Sequence, residues 1–370
     1  MKKKLLFNDF VIQYSHCNFT CEYCLNLLKP DETNIWRFTG QTHTSSDIER
    51  DIPFRYHGIL KHNVNRTLEN FQKAFDAPIL RISGGEILGM DGIKELLEIV
   101  SSKYQLVQII TNGFYLDHNM SNFLNNLKNV HIHFSLDGHT NTLNYYRVKN
   151  GDIQKRLLDN LDYCVTIGLP VEISSVMTNC NTMEFETFLK YLMHYSGMIK
   201  VFPAPVRGSH SMQFLPTDKA VKKFCEIEDR YGQYSTILPP LAYISNLMDF
   251  MRTYMKRKQC FIPLVAVQSL DNGSVTACPN GWTSQIANLH FDNIEKIIEN
   301  VNKNPIYHIL TQERPRLQYC KECFTAYDVI NLFFNNEITE DELRTIPLYS
   351  NDGIICRINE IKNIHGRDIC

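Results

Sequence analysis

Seven of the twelve cysteines in this 370-residue chain fall into two groups whose spacing suits metal or cluster chemistry. The first is Cys17, Cys21 and Cys24, in the run Ser15-His16-Cys17-Asn18-Phe19-Thr20-Cys21-Glu22-Tyr23-Cys24, a C-x3-C-x2-C spacing. Three thiolates on one tight loop can hold three irons of a four-iron, four-sulfur (4Fe-4S) cluster. A cluster that only carries electrons has four cysteine ligands, so a missing fourth leaves one iron open to a substrate or cosubstrate. A structural zinc site is the competing reading, and it wants a second ligand pair further on. His16 is available as a fourth ligand but is adjacent to Cys17 and poorly placed to close a tetrahedron. The second group is Cys260 and Cys278, in C-x12-G-x4-C about Gly273, with the C-x2-C of Cys320 and Cys323. Leu264–Leu270, Asp271-Asn272-Gly273 and Ser274–Ala277 read as strand, tight turn and strand. Such a hairpin brings Cys278 back beside Cys260, and the later pair completes four thiolates, for zinc or for an iron–sulfur cluster.

The elements that must position the first group alternate along the chain. Strand patterns occupy Phe7–Ser15, Ile79–Ser83, Leu106–Thr111, Val130–Ser135, Val171–Thr178 and Ile199–Pro203. Helical patterns fill Val64–Ala74, Asp91–Ser101, Asp117–Asn126, Asp152–Ile167 and Met183–Tyr195. Alternation of this kind calls for an α/β fold with a parallel sheet and right-handed crossovers. A partial (β/α)6 TIM-like barrel fits best, because functional-looking residues stand at the C-terminal ends of the strands. Leu25 to Asn63 is long for a strand-to-helix connection; with Trp36, Arg37, His43 and His57 it reads either as a surface excursion or as a lid. Thr217 to Lys258 is helical, broken at Leu238-Pro239-Pro240.

Composition sets outer bounds. A net charge of −2 and a pI near 6.7 argue against nucleic acid held by a general basic field. No apolar run is long enough to span a bilayer, and Met1-Lys2-Lys3-Lys4 lacks the apolar region and cleavage site of a signal peptide. The expectation is a cytoplasmic chain with no membrane partner, in which cysteines serve as ligands rather than disulfides.

The strand ends carry a set of short motifs. Ser83-Gly84-Gly85-Glu86 follows the second strand, Thr111-Asn112-Gly113 the third, Ser135-Leu136-Asp137-Gly138 the fourth, and Arg147 comes nine residues later. Singly each is ordinary, since Asn-Gly and Asp-Gly are turn dipeptides. In this order, behind Cys17, Cys21 and Cys24, they make the chain resemble the radical S-adenosylmethionine (radical SAM) enzymes over about residues 5–330. The resemblance implies that the three cysteines bind a 4Fe-4S cluster, with Tyr23 beside them. It implies that Tyr23, Gly84, Gly85, Glu86, Asn112, Ser135, Asp137 and Arg147 bind the cofactor, S-adenosylmethionine. Glu86 would face its amino group, Ser135 and Asp137 its ribose, and Arg147 its carboxylate. Ile87 departs from the proline usual after that glutamate.

Cys260, Cys278, Cys320 and Cys323 are similar to the ligands of a Twitch domain, a shortened SPASM-like module with one auxiliary 4Fe-4S cluster. Phe324-Thr325-Ala326-Tyr327-Asp328 offers no cysteine for a second auxiliary cluster. The expected division is a barrel over residues 1–215, a helical bridge over 216–257, the auxiliary domain over 258–330 and a tail over 331–370 that holds Cys356 and Cys370. The implied activity is reductive cleavage of S-adenosylmethionine to a 5′-deoxyadenosyl radical that takes hydrogen from a C–H bond, with a ferredoxin or flavodoxin as electron donor. The expected substrate is a peptide or protein undergoing oxidation or cross-linking. The alternatives are a small-molecule dehydrogenase or epimerase (sugar or aminocyclitol), a peptide epimerase, and a non-catalytic zinc or Fe–S module. With the barrel expected to begin at residue 5, no N-terminal leader-binding domain is expected, which weakens one class of peptide modifier but not those that bind the core peptide in the barrel. Cys180 and Cys225 are candidate hydrogen donors for epimerisation, and a buried or incidental thiol is the plainer reading of each.

Overall fold

A computed structural model describes residues 2–13, 17–24, 55–207, 209–280 and 283–365. Six parallel strands form its centre: β1 (Phe7–Val11), β2 (Ile79–Ser83), β3 (Leu106–Thr111), β4 (Val130–Ser135), β5 (Val171–Met177) and β6 (Ile199–Pro205). They pair in chain order, as right-handed crossovers dictate. The crossover helices are α1 (Gly58–Ala74), α2 (Ile93–Lys103), α3 (His118–Asn126), α4 (Gly151–Thr166) and α5 (Phe185–Leu192). This is the α/β partial barrel expected from the alternation. Helix α1 begins at Gly58, a turn and a half before the expected Val64. That extra turn is largely solvent-facing, with Ile59 exposed, so it carries no apolar stripe to read. The remainder of the long connection, residues 25–54 with Trp36, Arg37 and His43, lies outside the described residues.

The C-terminal hairpin continues the same sheet. Strand β7 (Ala266–Leu270) pairs parallel with β1, followed by antiparallel β8 (Ser274–Thr276) and β9 (Gln285–Asn288). Gly273 makes the turn at φ 84°, and a Cβ there would meet the His290 ring at 2.7 Å. Helices α6 (Asp218–Asp229) and α7 (Leu241–Thr253) flank the break at Leu238-Pro239-Pro240.

The barrel interior is polar at mid-height. Asp9 accepts a hydrogen bond from Tyr327 Oη at 2.6 Å, and Arg81 lies 3.5 Å from Asp9 and 4.5 Å above the Tyr327 ring. Gln108 donates to Glu172 at 3.0 Å. The tail closes this end of the barrel: Leu348 N–H donates to Glu172 near the start of β5, and Tyr349 packs edge-on against Phe7, the first residue of β1. The last helix, α8 (Asp352–His365), is held there by Arg357, which binds the Leu5 and Asp76 carbonyls and the Asp76 carboxylate. Among the described residues, no helix is long and apolar enough to cross a membrane.

Candidate functional site

The opposite end of the barrel gathers the chemistry. Cys17, Cys21 and Cys24 share one loop beyond β1, close enough that a Cys24 thiolate would raise both Cys17 and Cys21. Burial pushes the Cys17 thiol up to about 11 and the Cys21 thiol up to about 12, while the nearby Arg147 opposes both shifts. Bare, these thiols hold their protons at neutral pH; a soft, positively charged centre is what such a set would accept as thiolates.

Four strand ends clasp the loop. From β3, Asn112 Nδ2 donates to Asn18 Oδ1 at 2.9 Å and lies 3.9 Å from Cys17 Sγ. From β4, Asp137 is buried: Oδ1 accepts from Val176 N–H at 2.8 Å, and Oδ2 accepts the Tyr23 hydroxyl and faces Arg147 Nε at 3.5 Å. Arg147 Nη1 reaches to 3.9 Å from Cys21 Sγ, and its buried Nε finds no hydrogen-bond partner. With Nε turned to the Asp137 carboxylate, the other guanidinium N–H groups suit a carboxylate-bearing ligand. From β5 and β6, Val176, Phe214 and Val206 pack around Tyr23.

Glu86 follows β2 and is only 2% exposed. Its carboxylate accepts from Thr111 Oγ1 at 2.8 Å, Asn112 N–H at 2.6 Å and Leu88 N–H at 3.2 Å, so it ties β2 to β3 with most of its acceptor capacity in use. Burial pushes it up to about 7. Gly84 and Gly85 are half-buried before it, and Ser135 is half-buried at the end of β4, opposite Ser174. Gly113 turns the chain after Asn112 at φ 84°, where a Cβ would strike the Phe134 ring at 2.0 Å.

The two thiols singled out as hydrogen donors part company. Cys180 stands beyond β5 at this same end, partly buried and beside the Tyr146 hydroxyl. Cys225 lies in α6, beside Arg252 of α7, in the outer helical layer.

Cys260, Cys278, Cys320 and Cys323 line one small cavity together with Lys256 and Asp328. Burial pushes Cys278 and Cys260 upward and Cys320 up to about 12, each aggravated by its sister thiols. Among the described residues, no three His, Cys, Asp or Glu side chains close around one point as ligands of a single ion would. Sequence reasoning missed the groups that surround these sulfurs. Asn331 Nδ2 lies 3.7 Å from Cys260 Sγ, Lys256 is ion-paired with Asp328, and Arg207 Nη1 is 3.8 Å from Cys323 Sγ. Arg207 had one legible cue, its place just after the last barrel strand.

Comparison with known proteins agrees with this geometry. Residues 11–192 match the model of the Radical SAM superfamily. The sporulation killing factor maturation protein SkfB of Bacillus subtilis (strain 168) is 27% identical over 105 residues, which is 28% of this chain and 25% of SkfB. The chain thus aligns with only a quarter of that relative's length. Streptococcus suis SuiB bound to S-adenosylmethionine superposes with a TM-score of 0.57 at 13% identity, over 86% of this chain and 77% of SuiB. The protein anSMEcpe with bound AdoMet gives 0.60 at 13% identity, over 93% and 99%. At such identities the two structures speak for a shared fold.

Proposed function

The chain belongs, over residues 11–192, to the radical SAM superfamily, and from that premise we propose that it takes hydrogen from a C–H bond of a peptide or protein substrate, with net oxidation or cross-linking. The observation that carries the reading is the loop of Cys17, Cys21 and Cys24 held by Asn112, Tyr23, Asp137 and Arg147 at the strand ends. Those three cysteines would hold a 4Fe-4S cluster. When bound, it supplies one-electron reductive cleavage of S-adenosylmethionine to methionine and a 5′-deoxyadenosyl radical.

The protein's own residues supply position and shelter. The Arg147 guanidinium, ion-paired with Asp137 through Nε, has further N–H groups suited to a methionine carboxylate, and Glu86 has one acceptor site in hand for the amino group. Ser135 faces the same end and suits a ribose hydroxyl. Tyr23, Phe214 and Tyr146 pack edge to face at 6.3 and 4.8 Å, and Phe19 with Phe114 at 6.0 Å, an aromatic collar that excludes water from reactive carbon. Cys260, Cys278, Cys320 and Cys323 would hold an auxiliary 4Fe-4S cluster in a Twitch-type module. The radical SAM barrel beside this site favours a cluster over zinc. Thiol ligands and a reduced cluster suit a cytoplasmic setting with a ferredoxin or flavodoxin as donor.

The substrate class is supported by the company the chain keeps: SkfB is a maturation protein, SuiB has been seen with its precursor peptide SuiA, and anSMEcpe with bound peptide. Epimerisation is the second reading, favoured by the position of Cys180. The test is anaerobic protein with dithionite, S-adenosylmethionine and the short peptides encoded beside its gene. 5′-Deoxyadenosine and a peptide lighter by about two hydrogens are expected, and Cys17→Ala, Cys21→Ala or Cys24→Ala should abolish both. Stoichiometric zinc with no visible charge-transfer absorption would overturn the reading.

A further inference from the structure

The segment leaving the last barrel strand touches both groups of thiols. Val206 packs against Tyr23, the neighbour of Cys24. The next residue, Arg207, places Nη1 3.8 Å from Cys323 Sγ. Among the described residues this guanidinium has no carboxylate partner, whereas the other cation beside the four thiols, Lys256, is neutralised by Asp328. Among the described residues, Arg207 is therefore a cation beside Cys323 with no carboxylate to offset it.

We propose that Arg207 sets the reduction potential of the centre held by Cys260, Cys278, Cys320 and Cys323, raising it in the direction an electron acceptor needs. The proposal rests on the reading of those cysteines as cluster ligands. A thiolate-ligated cluster gains negative charge when reduced, so an N–H donor and a fixed cation at a ligand sulfur stabilise the reduced form more than the oxidised one. Arginine suits the task because its charge is permanent and its planar fork can hold a sulfur from a fixed direction. The location adds to the argument. Because Arg207 adjoins the residue that packs on Tyr23, the barrel end and the auxiliary site are joined through two consecutive side chains, and the tuning group is anchored to the strand that lines the reaction chamber.

The experiment is a redox titration, followed by electron paramagnetic resonance, of the full anaerobically loaded chain, with iron counted in each sample. Cys17→Ala identifies which signal belongs to which centre. Arg207→Met should retain the wild-type iron content and lower the midpoint potential of the auxiliary signal alone. Arg207→Lys should fall between it and wild type. An auxiliary potential unchanged in Arg207→Met, at full iron, overturns the inference while leaving the proposed function intact. If Arg207→Met fails to hold its auxiliary iron, Arg207→Lys decides: a lowered potential supports the inference and an unshifted one overturns it. Wild-type protein with only about four irons would remove the auxiliary cluster itself, and the inference with it.

Discussion

The Tyr23–Asp137–Arg147 contact should hold the first cysteine loop in place, and two substitutions measure it. Tyr23→Phe keeps the ring against Phe214 and Val206 and deletes only the hydroxyl that donates to Asp137. Loss of a hydrogen bond to a charged acceptor costs about 1.5–3 kcal/mol. Asp137→Asn removes the anion 3.5 Å from Arg147, whose side chain is 10% exposed, and leaves that guanidinium buried without compensation. Breaking one partner of a buried pair costs about 3–5 kcal/mol. For a chain of 370 residues the unfolding entropy is about 0.8 kcal/mol per kelvin. The expected drops in Tm are therefore about 2–4 °C for Tyr23→Phe and about 4–6 °C for Asp137→Asn. Because the two groups touch, the double variant should cost less than the sum of the singles. Anaerobic thermal melts with iron analysis provide the assay, and iron should leave the Cys17, Cys21 and Cys24 site before the fold is lost. Additive effects of under about 1 kcal/mol with iron fully retained would refute the reasoning.

Replacing Cys278 and Cys320 by alanine should leave 5′-deoxyadenosine formation intact while modified product disappears, checked by chromatography of both; product at the wild-type rate would deny the auxiliary site a catalytic role. Glu86, held up to about 7 in the folded chain against an ordinary 4.5, takes up a proton on folding. Its contribution to stability is full below pH 4.5 and lost as pH rises through 7, a swing of about 3 kcal/mol. Melting curves without S-adenosylmethionine should show this decline between those limits, and Glu86→Gln should flatten it. Turnover in deuterated water should place no solvent deuterium on the reacting carbon, as oxidation requires; deuterium that is retained and then lost in Cys180→Ala would assign an epimerase.

Local chemistry was the most legible part of the chain. Ligand spacing within one loop, as in Cys17, Cys21 and Cys24, survives in sequence because the residues are neighbours before folding. The strands were legible for the related reason that each is a short apolar run between turn signals. What escaped is non-local. Asp9 and Arg81 sit inside apolar strands and look like interruptions until Tyr327, 318 residues from Asp9, supplies the partner. The tail had no readable role because its apolar residues pack on the floor of a barrel built by the first half of the chain.

That floor changes the physical account of the first cluster loop. Strand β1 contacts the tail where Phe7 meets Tyr349, is held by Tyr327 through Phe7 and Asp9, and leads at its other end into Cys17. It is also the strand on which β7 extends the sheet toward the auxiliary cysteines. Gln13 N–H, just past β1, donates at 3.1 Å to Asp271 in the turn of that hairpin. A single strand of five residues is therefore braced from below by the tail and from the side by the hairpin. Strands braced on several sides open least readily, and a loop that must hold three sulfurs in fixed relation gains from springing off a strand braced in this way.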